Sequence, residues 1–255
     1  MNRALSIVAP IVFLALLLGG WEFACHALAL PSYRLPPPSE IAVAAAQNLP
    51  ILISSAWNTL ATALLALVWA SVFACGLALV VAVNPLIERA VQPVVTTLQV
   101  TPIVAIAPLV TIWAGLDHPE RAILVLAVVV AFFPIFSGAL TGLKSADPDL
   151  ERLFDLYGAS RLQRLARLRL PSAVPFLLEG HKVAAGLALV GAVVAEFVAG
   201  SGGAQGLAWR ILEAQHRLET AKMFAALVVL AVMGVALYGL MQVAEAAILR
   251  QWRGR

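Results

Sequence analysis

Long stretches without a charged side chain divide this chain. Residues 4–21 carry none, and apolar character continues past Glu22 as far as Leu30. Residues 56–83, 91–116, 122–143 and 223–244 are uncharged throughout. One more stretch, from Pro171 to Gly200, is apolar but interrupted by Glu179, His181, Lys182 and Glu196. A bilayer core of about 30 Å is crossed by about 20 helical residues, so each stretch is long enough to span with some tilt. The pattern predicts an all-α, polytopic membrane protein with six transmembrane helices, over about 4–30, 56–83, 91–116, 121–143, 172–200 and 222–249. The whole chain, 1–255, reads as one membrane domain without internal repeats or low-complexity segments.

The first stretch has a rival reading. Ala27-Leu28-Ala29 resembles a small-residue cleavage site, and Arg3 supplies a minimal positive start. A cleavable leader has an apolar region of about 7–15 residues, shorter than the run here, so the segment is expected to remain as a helix.

Composition narrows the class further. Of 255 residues 62% are hydrophobic and 12% charged, with mean hydropathy +0.93. Soluble domains carry about 25% charge, so this chain could not clothe a water-facing surface. A net charge of +3 is too small to suggest nucleic acid. Cys25 and Cys75 lie in separate apolar stretches, with neither metal-type spacing nor a disulfide framework. The positions of Lys and Arg say more than their sum. Five of the 17 (Arg34, Arg121, Arg210, Arg217 and Lys222) fall on one side of the six-span arrangement and all others on the opposite side. The positive-inside rule then places both termini in the cytoplasm.

Among the connections, Pro31 to Pro50 contains Pro36-Pro37-Pro38, which favours extended backbone. Ser39 can cap a short helix running toward Asn48. Gly200-Ser201-Gly202-Gly203 breaks the chain after the fifth span, and 207–217 reads as a short helix. The stretch 144–171 is different, with ten charges in 28 residues, acidic first and basic after. Asp147 can cap a helix with Pro148 at its first position, and Asp149 and Glu151 suit its positive end. Gly158 breaks that helix. Ser160 can start a second short one, with Leu162, Leu165 and Leu168 on one side and Arg161, Arg164 and Arg167 beside them; Pro171 closes the unit. Two readings follow. The basic residues anchor topology and touch anionic lipid, or the hairpin is an ordered docking surface for a soluble partner.

Gly158, nine residues, then Leu168-Arg169-Leu170-Pro171 resembles the loop pattern of binding-protein-dependent ABC importer permeases. The leading Glu-Ala-Ala of that pattern falls on Arg152, Leu153 and Phe154 and is absent, while Gly158-Ala159-Ser160 looks like the turn of the nitrate/sulfonate/taurine branch. Leu35-Pro36-Pro37-Pro38-Ser39, Thr101-Pro102 to Pro108 with Trp113-Ala114-Gly115-Leu116, and Val193-Val194-Ala195-Glu196-Phe197 resemble the same branch. The likeness covers about 35–252. It implies a type I importer permease fold. It also implies a coupling loop at Gly158, Ala159, Ser160, Arg161, Leu162, Leu165, Leu168, Leu170 and Pro171 that enters a groove of a separate cytoplasmic ATPase. Implied partners are ABC ATPase subunits, an extracytoplasmic substrate-binding protein and a second permease copy. ATP and Mg would be bound by the ATPase, since this chain has no G-x-x-x-x-G-K-[ST] run; no cofactor, metal or catalytic residue is expected in it. Implied cargoes are nitrate, taurine, aliphatic sulfonates or pyrimidine precursors of thiamine.

Ionisable groups within spans invite a functional reading. Glu196 is a candidate for the translocation path or a gate; equally, it could pair with Arg210 or cap a neighbouring helix. Glu179, His181 and Lys182 fit anchoring near the inner end, and Glu22 with His26 fits a local i,i+4 pair. Asn58 and Thr59 are expected to satisfy backbone. Pro102, Pro108 and Pro134 are expected to kink helices. Gly186 with Val190, and Gly191 with Ala195, suit close helix contact. The rival function is an ion-coupled secondary transporter or channel, which calls for acidic groups at mid-depth. An intramembrane enzyme lacks H-E-x-x-H and G-x-S-x-G signatures here. No span centre carries Lys or Arg, which leans toward a neutral or zwitterionic cargo.

Overall fold

The computed structural model describes residues 3–115, 117–199 and 205–253, and these form helices and turns with no strand among them. The helices are α1 (Arg3–Ala27), α2 (Pro38–Gln47), α3 (Leu49–Val83), α4 (Pro85–Val100), α5 (Ile103–Ala114), α6 (Pro119–Lys144), α7 (Pro148–Leu156), α8 (Arg161–Arg164), α9 (Leu170–Ala199), α10 (Leu207–His216) and α11 (Thr220–Arg253). A π-helical segment, Leu165–Arg169, joins α8 to α9. The glycine-rich break at Gly200–Gly203, and Leu116, lie outside the described residues.

Five helical stretches are long and apolar enough to cross a membrane: those at α1, α3, α6, α8 through α9, and α11. The uncharged run 91–116, read from the sequence as one crossing, falls on two helices. α4 and α5 meet at a bend of 102°. Pro102 causes it. Proline offers no N–H to continue the ladder and pushes the preceding residue out of the helical region, and Thr101 is accordingly extended at φ −72°, ψ 126°.

Two compact units make up the chain. The first comprises Met1–Trp57 and Gln205–Ala231. There Glu22 of α1 reaches the start of α2, where Ser39 donates to it from its N–H at 3.0 Å and from its hydroxyl at 2.7 Å. Ser39 therefore does not cap α2 itself, because Pro37 holds the cap position. His26 adds the expected pair to Glu22, at 3.0 Å. Trp21 packs on Phe224 with ring centroids 5.8 Å apart, and Thr220 donates to the Tyr33 carbonyl at 3.0 Å. On α10, Arg210 donates to Ser55 and Glu213, and the guanidinium hydrogen bond is the main cause holding the Glu213 carboxyl below the usual carboxylate range. The exposed faces of α1, including Ile11, Phe13 and Leu16, suit a lipid environment.

The second unit comprises Asn58–Ala204 and Val232–Arg255, built around α6 packed on α9. Small residues let these backbones approach closely. A Cβ added to Gly138 would lie 2.6 Å from the Phe176 carbonyl oxygen, and one on Gly180 2.7 Å from that of Pro134. One on Gly142 would meet the Ala173 Cα at 2.8 Å. Gly191 approaches Ala127 as the small-residue spacing suggests, but Gly186 has nothing within 4 Å of its Cβ position. α5 lies on the same pair, with Ala107, Ala122, Ile123, Leu126 and Ala195 forming a buried cluster.

Candidate functional site

The stretch between α6 and α9 is a rigid hairpin. Asp147 caps α7, accepting from the Asp149 N–H at 2.8 Å, with Pro148 in the first turn. The helix ends at Gly158, whose φ of +64° is the left-handed conformation that glycine adopts without strain. The Ala159 N–H returns to the Phe154 carbonyl at 3.0 Å and the Gly158 N–H to that of Asp155 at 3.0 Å. Ser160 then opens the second arm with a full capping box. Its hydroxyl accepts from the Gln163 N–H, and the Gln163 side chain accepts from the Ser160 N–H.

The two arms are tied by charge. Arg169 Nε donates to Glu151 at 2.7 Å, Arg164 lies 3.3 Å from the other Glu151 oxygen, and Arg164 also binds Asp155. Glu151 is thus a hub between the arms. The acidic-then-basic order was the available signal, but partners 13 and 18 positions apart do not announce themselves as neighbours.

One expectation for this stretch is corrected. Pro171 does not close the unit, because α8, the π segment and α9 run on as one helix. The reason lies in the wide turn. The Leu170 N–H reaches back five residues to the Leu165 carbonyl, which opens the helix just where the proline ring would clash and its missing N–H would leave a gap. The three leucines differ in burial along the arm, with Leu168 buried, Leu165 half-buried and Leu162 74% exposed, and Leu162 and Leu165 line one cavity with Ala82 and Val83.

At the tip, Leu156 is 85% and Tyr157 82% exposed. Leu162, on the second arm, is 74% exposed as well. Gly158, Ser160, Arg161 and Leu170 are exposed as well, and Ala159 is half-buried.

Elsewhere in the second unit, Glu196 is buried, only 3% exposed, and accepts from Thr59 Oγ1 at 2.8 Å. Thr59 therefore serves a carboxylate across 137 positions of sequence. Lys182 donates to Glu245 of α11 at 2.9 Å and to Glu179, an anchoring arrangement. His181 meets Ser71 at 3.0 Å and the Leu177 carbonyl at 2.7 Å.

Comparisons with known proteins agree with this architecture. Residues 67–250 match the family described as "Binding-protein-dependent transport system inner membrane component". The chain is 29% identical over 254 residues to the formylaminopyrimidine transport permease protein ThiX of Halalkalibacterium halodurans, covering 99% of each chain. It is 28% identical over 221 residues to the taurine transport system permease protein TauC of Escherichia coli, covering 83% of this chain and 78% of that one. Among solved structures, the MetNI methionine ABC transporter in an inward facing conformation superposes with a TM-score of 0.67 at 21% identity, covering 81% of this chain and 98% of that one. The spans, the helical architecture and the match over most of the chain lead to one conclusion: this protein belongs to the binding-protein-dependent transport system inner membrane components, the multi-pass permease subunits of ABC importers.

Proposed function

We propose that this permease moves a small solute inward by alternating access, driven by a separate cytoplasmic ATPase that seats on hairpin 144–171. One observation carries the reading: Leu156 and Tyr157 at the turn and Leu162 on the second arm are exposed apolar side chains, while the hairpin that bears them is capped at both arms and cross-tied by ion pairs. A lipid anchor needs charge only; an ordered apolar knob fits a groove on a protein. Gly158, Ala159 and Ser160 make the turn; Arg161, Leu162 and Leu165 follow it; and Leu168, Leu170 and Pro171 root it in α9. ATP and Mg belong to the ATPase, and this chain supplies no catalytic residue. Both termini lie in the cytoplasm, two copies of the chain enclose the path, and a binding protein delivers cargo at the opposite face. Membership of an importer family favours this over an ion-coupled carrier. The similarity to ThiX and TauC supports a cargo of thiamine-precursor, taurine, sulfonate or nitrate kind.

The test is capture. Tagged full-length permease from native membranes is expected to bring down an ABC ATPase whose hydrolysis rises with loaded binding protein; a permease that transports without any ATPase restores the ion-coupled reading.

Glu196 is proposed as the gate-side link between α3 and α9. Glu196→Gln keeps an oxygen for the Thr59 hydroxyl but removes the charge, so the chain is expected to accumulate normally while uptake falls about tenfold, the worth of a charge-assisted hydrogen bond. Unchanged uptake in cells assigns Glu196 a packing role alone.

A further inference from the structure

Beside the second arm of the hairpin, the second unit holds a cavity of about 530 Å³. Ala82 and Val83, the last two residues of α3, make its apolar lining together with Leu162 and Leu165. Arg161, Arg164 and Arg169 supply the rest, and no acidic residue belongs to it. Leu156 and Tyr157, at the turn, take no part. The uncharged run 56–83 ends at this lining, so the cavity lies where a span passes from hydrocarbon to headgroups.

Two of the arginines are already held in place. Glu151 accepts from Arg169 Nε at 2.7 Å and lies 3.3 Å from Arg164, and Asp155 binds Arg164 as well. Neither carboxylate lines the cavity. Arg161 is exposed and stands outside these pairs. Three arginines set against two carboxylates leave the cluster one positive charge in excess. Arg164 adds a second observation. Its Nε is buried and has no hydrogen-bond partner among the described residues. A buried guanidinium donor without an acceptor is costly, and an anionic oxygen in the cavity can satisfy it. Arginine suits a phosphate oxygen in particular, since its planar fork donates two parallel hydrogen bonds.

Leading away from the cavity, one face of α3 is apolar and bulky. Trp69, Val72, Phe73, Val80 and Val83 fall on one helical stripe, and each is 45–58% exposed. From Val72 to Val83 the helix rises about 16 Å, one leaflet's share of a hydrocarbon core of about 30 Å. Contacts between membrane helices favour small residues, so a stripe of Trp, Phe and Val suits acyl chains better than a second permease copy. The stripe runs into the arginine cluster, which gives an apolar track with a cationic end. Basic pockets at the ends of spans take anionic lipid headgroups.

We propose that this cavity binds one anionic phospholipid, its phosphodiester held by Arg161, Arg164 and Arg169 and its acyl chains laid along residues 69–83 of α3. The proposal goes beyond the importer reading and does not rest on it. It is tested by native mass spectrometry on full-length permease, released from its membranes in mild detergent and titrated with phosphatidylglycerol or phosphatidylcholine. One phosphatidylglycerol per chain is expected to stay bound, about tenfold tighter than phosphatidylcholine, whose headgroup has no net charge. Arg161→Gln is expected to erase that preference. Arg167→Gln, the same loss of charge on the same arm but outside the lining, is expected to keep it. Val83→Trp fills the apolar lining with every arginine in place, and is expected to lower retention of phosphatidylglycerol about tenfold or more. Equal effects of Arg161→Gln and Arg167→Gln would mean diffuse surface charge, and equal retention of the two lipids an apolar cleft only; either overturns the site. So does displacement by inorganic phosphate, which marks a soluble anion, or release of the lipid on ATPase binding, which gives the cavity to that protein. ATPase capture from the same membranes separates the two proposals: lipid preference without capture sinks the coupling hairpin alone, and capture without lipid preference sinks this site alone.

Discussion

A permease carrying Leu156→Asp together with Leu162→Asp will reach the membrane at the wild-type level yet lose ATPase capture and ATP-driven uptake. Both side chains are largely exposed, at 85% and 74%, so their removal costs the fold little packing. The backbone effects oppose one another. An aspartate at the last residue of α7 is slightly unfavourable, while one in the first turn of α8 is slightly favourable. At an apolar interface, by contrast, two buried anchors replaced by charges are expected to weaken association by about a hundredfold or more. Arg152→Gln is the matched control, because its ion pair with Asp149 lies in water at 77% and 83% side-chain exposure and contributes under about 1 kcal/mol. Gly158→Asp should act more mildly. Within this chain a Cβ there meets nothing within 4 Å and the strain at φ +64° costs about 1 kcal/mol, so the fold is kept while the one charge added beside Tyr157 weakens docking less than two charges replacing leucine anchors. Full ATPase capture by the double aspartate variant, measured by quantitative pull-down, would remove the hairpin tip from the interface.

The sequence is most legible where physics is local. Absence of charge over 18 or more residues marks the spans, and the residues that cap the hairpin, Asp147 and Ser160, are recognisable from the helix-start chemistry they share. It reads less well where a local rule has two outcomes. Pro102 and Pro171 carry the same warning in the sequence. At Pro102 the helix breaks and turns through 102°, whereas before Pro171 a wide turn absorbs the missing N–H and the helix continues. Nothing adjacent to either residue discriminates between these outcomes. It fails where the partner is remote. Thr59 and Glu196, Lys182 and Glu245, and Glu151 with its two arginines are pairings that tertiary packing creates. Small-residue spacing illustrates the same limit. It singles out Gly186, which faces open space, and passes over Gly138, Gly142 and Gly180, where backbones meet.

Those three glycines set the second large effect. Gly138→Leu or Gly180→Leu is expected to prevent accumulation of folded permease, and Gly138→Ala to lower its thermal stability by about 1–3 kcal/mol. The new Cβ at either position would sit 2.6–2.7 Å from a carbonyl oxygen on the facing helix. Backbone cannot swing aside as a long side chain would, so α6 and α9 must separate along their length. Lipid tails are as apolar as the helix surfaces, which means close packing and not the hydrophobic effect holds such a pair together. A separation of a few tenths of an ångström therefore forfeits dispersion contacts along the whole interface. Gly186→Ala reverses the balance. With no atom within 4 Å of the added methyl, it removes a flexible residue from a helix interior and should match or exceed the wild type, by up to about 1 kcal/mol. Fluorescence-detected size exclusion after graded heating ranks the variants directly. The expected order is Gly186→Ala, then wild type, then Gly138→Ala, with the leucine variants absent from the folded peak. If Gly138→Ala melts with Gly186→Ala, the α6–α9 contact is looser than this fold requires.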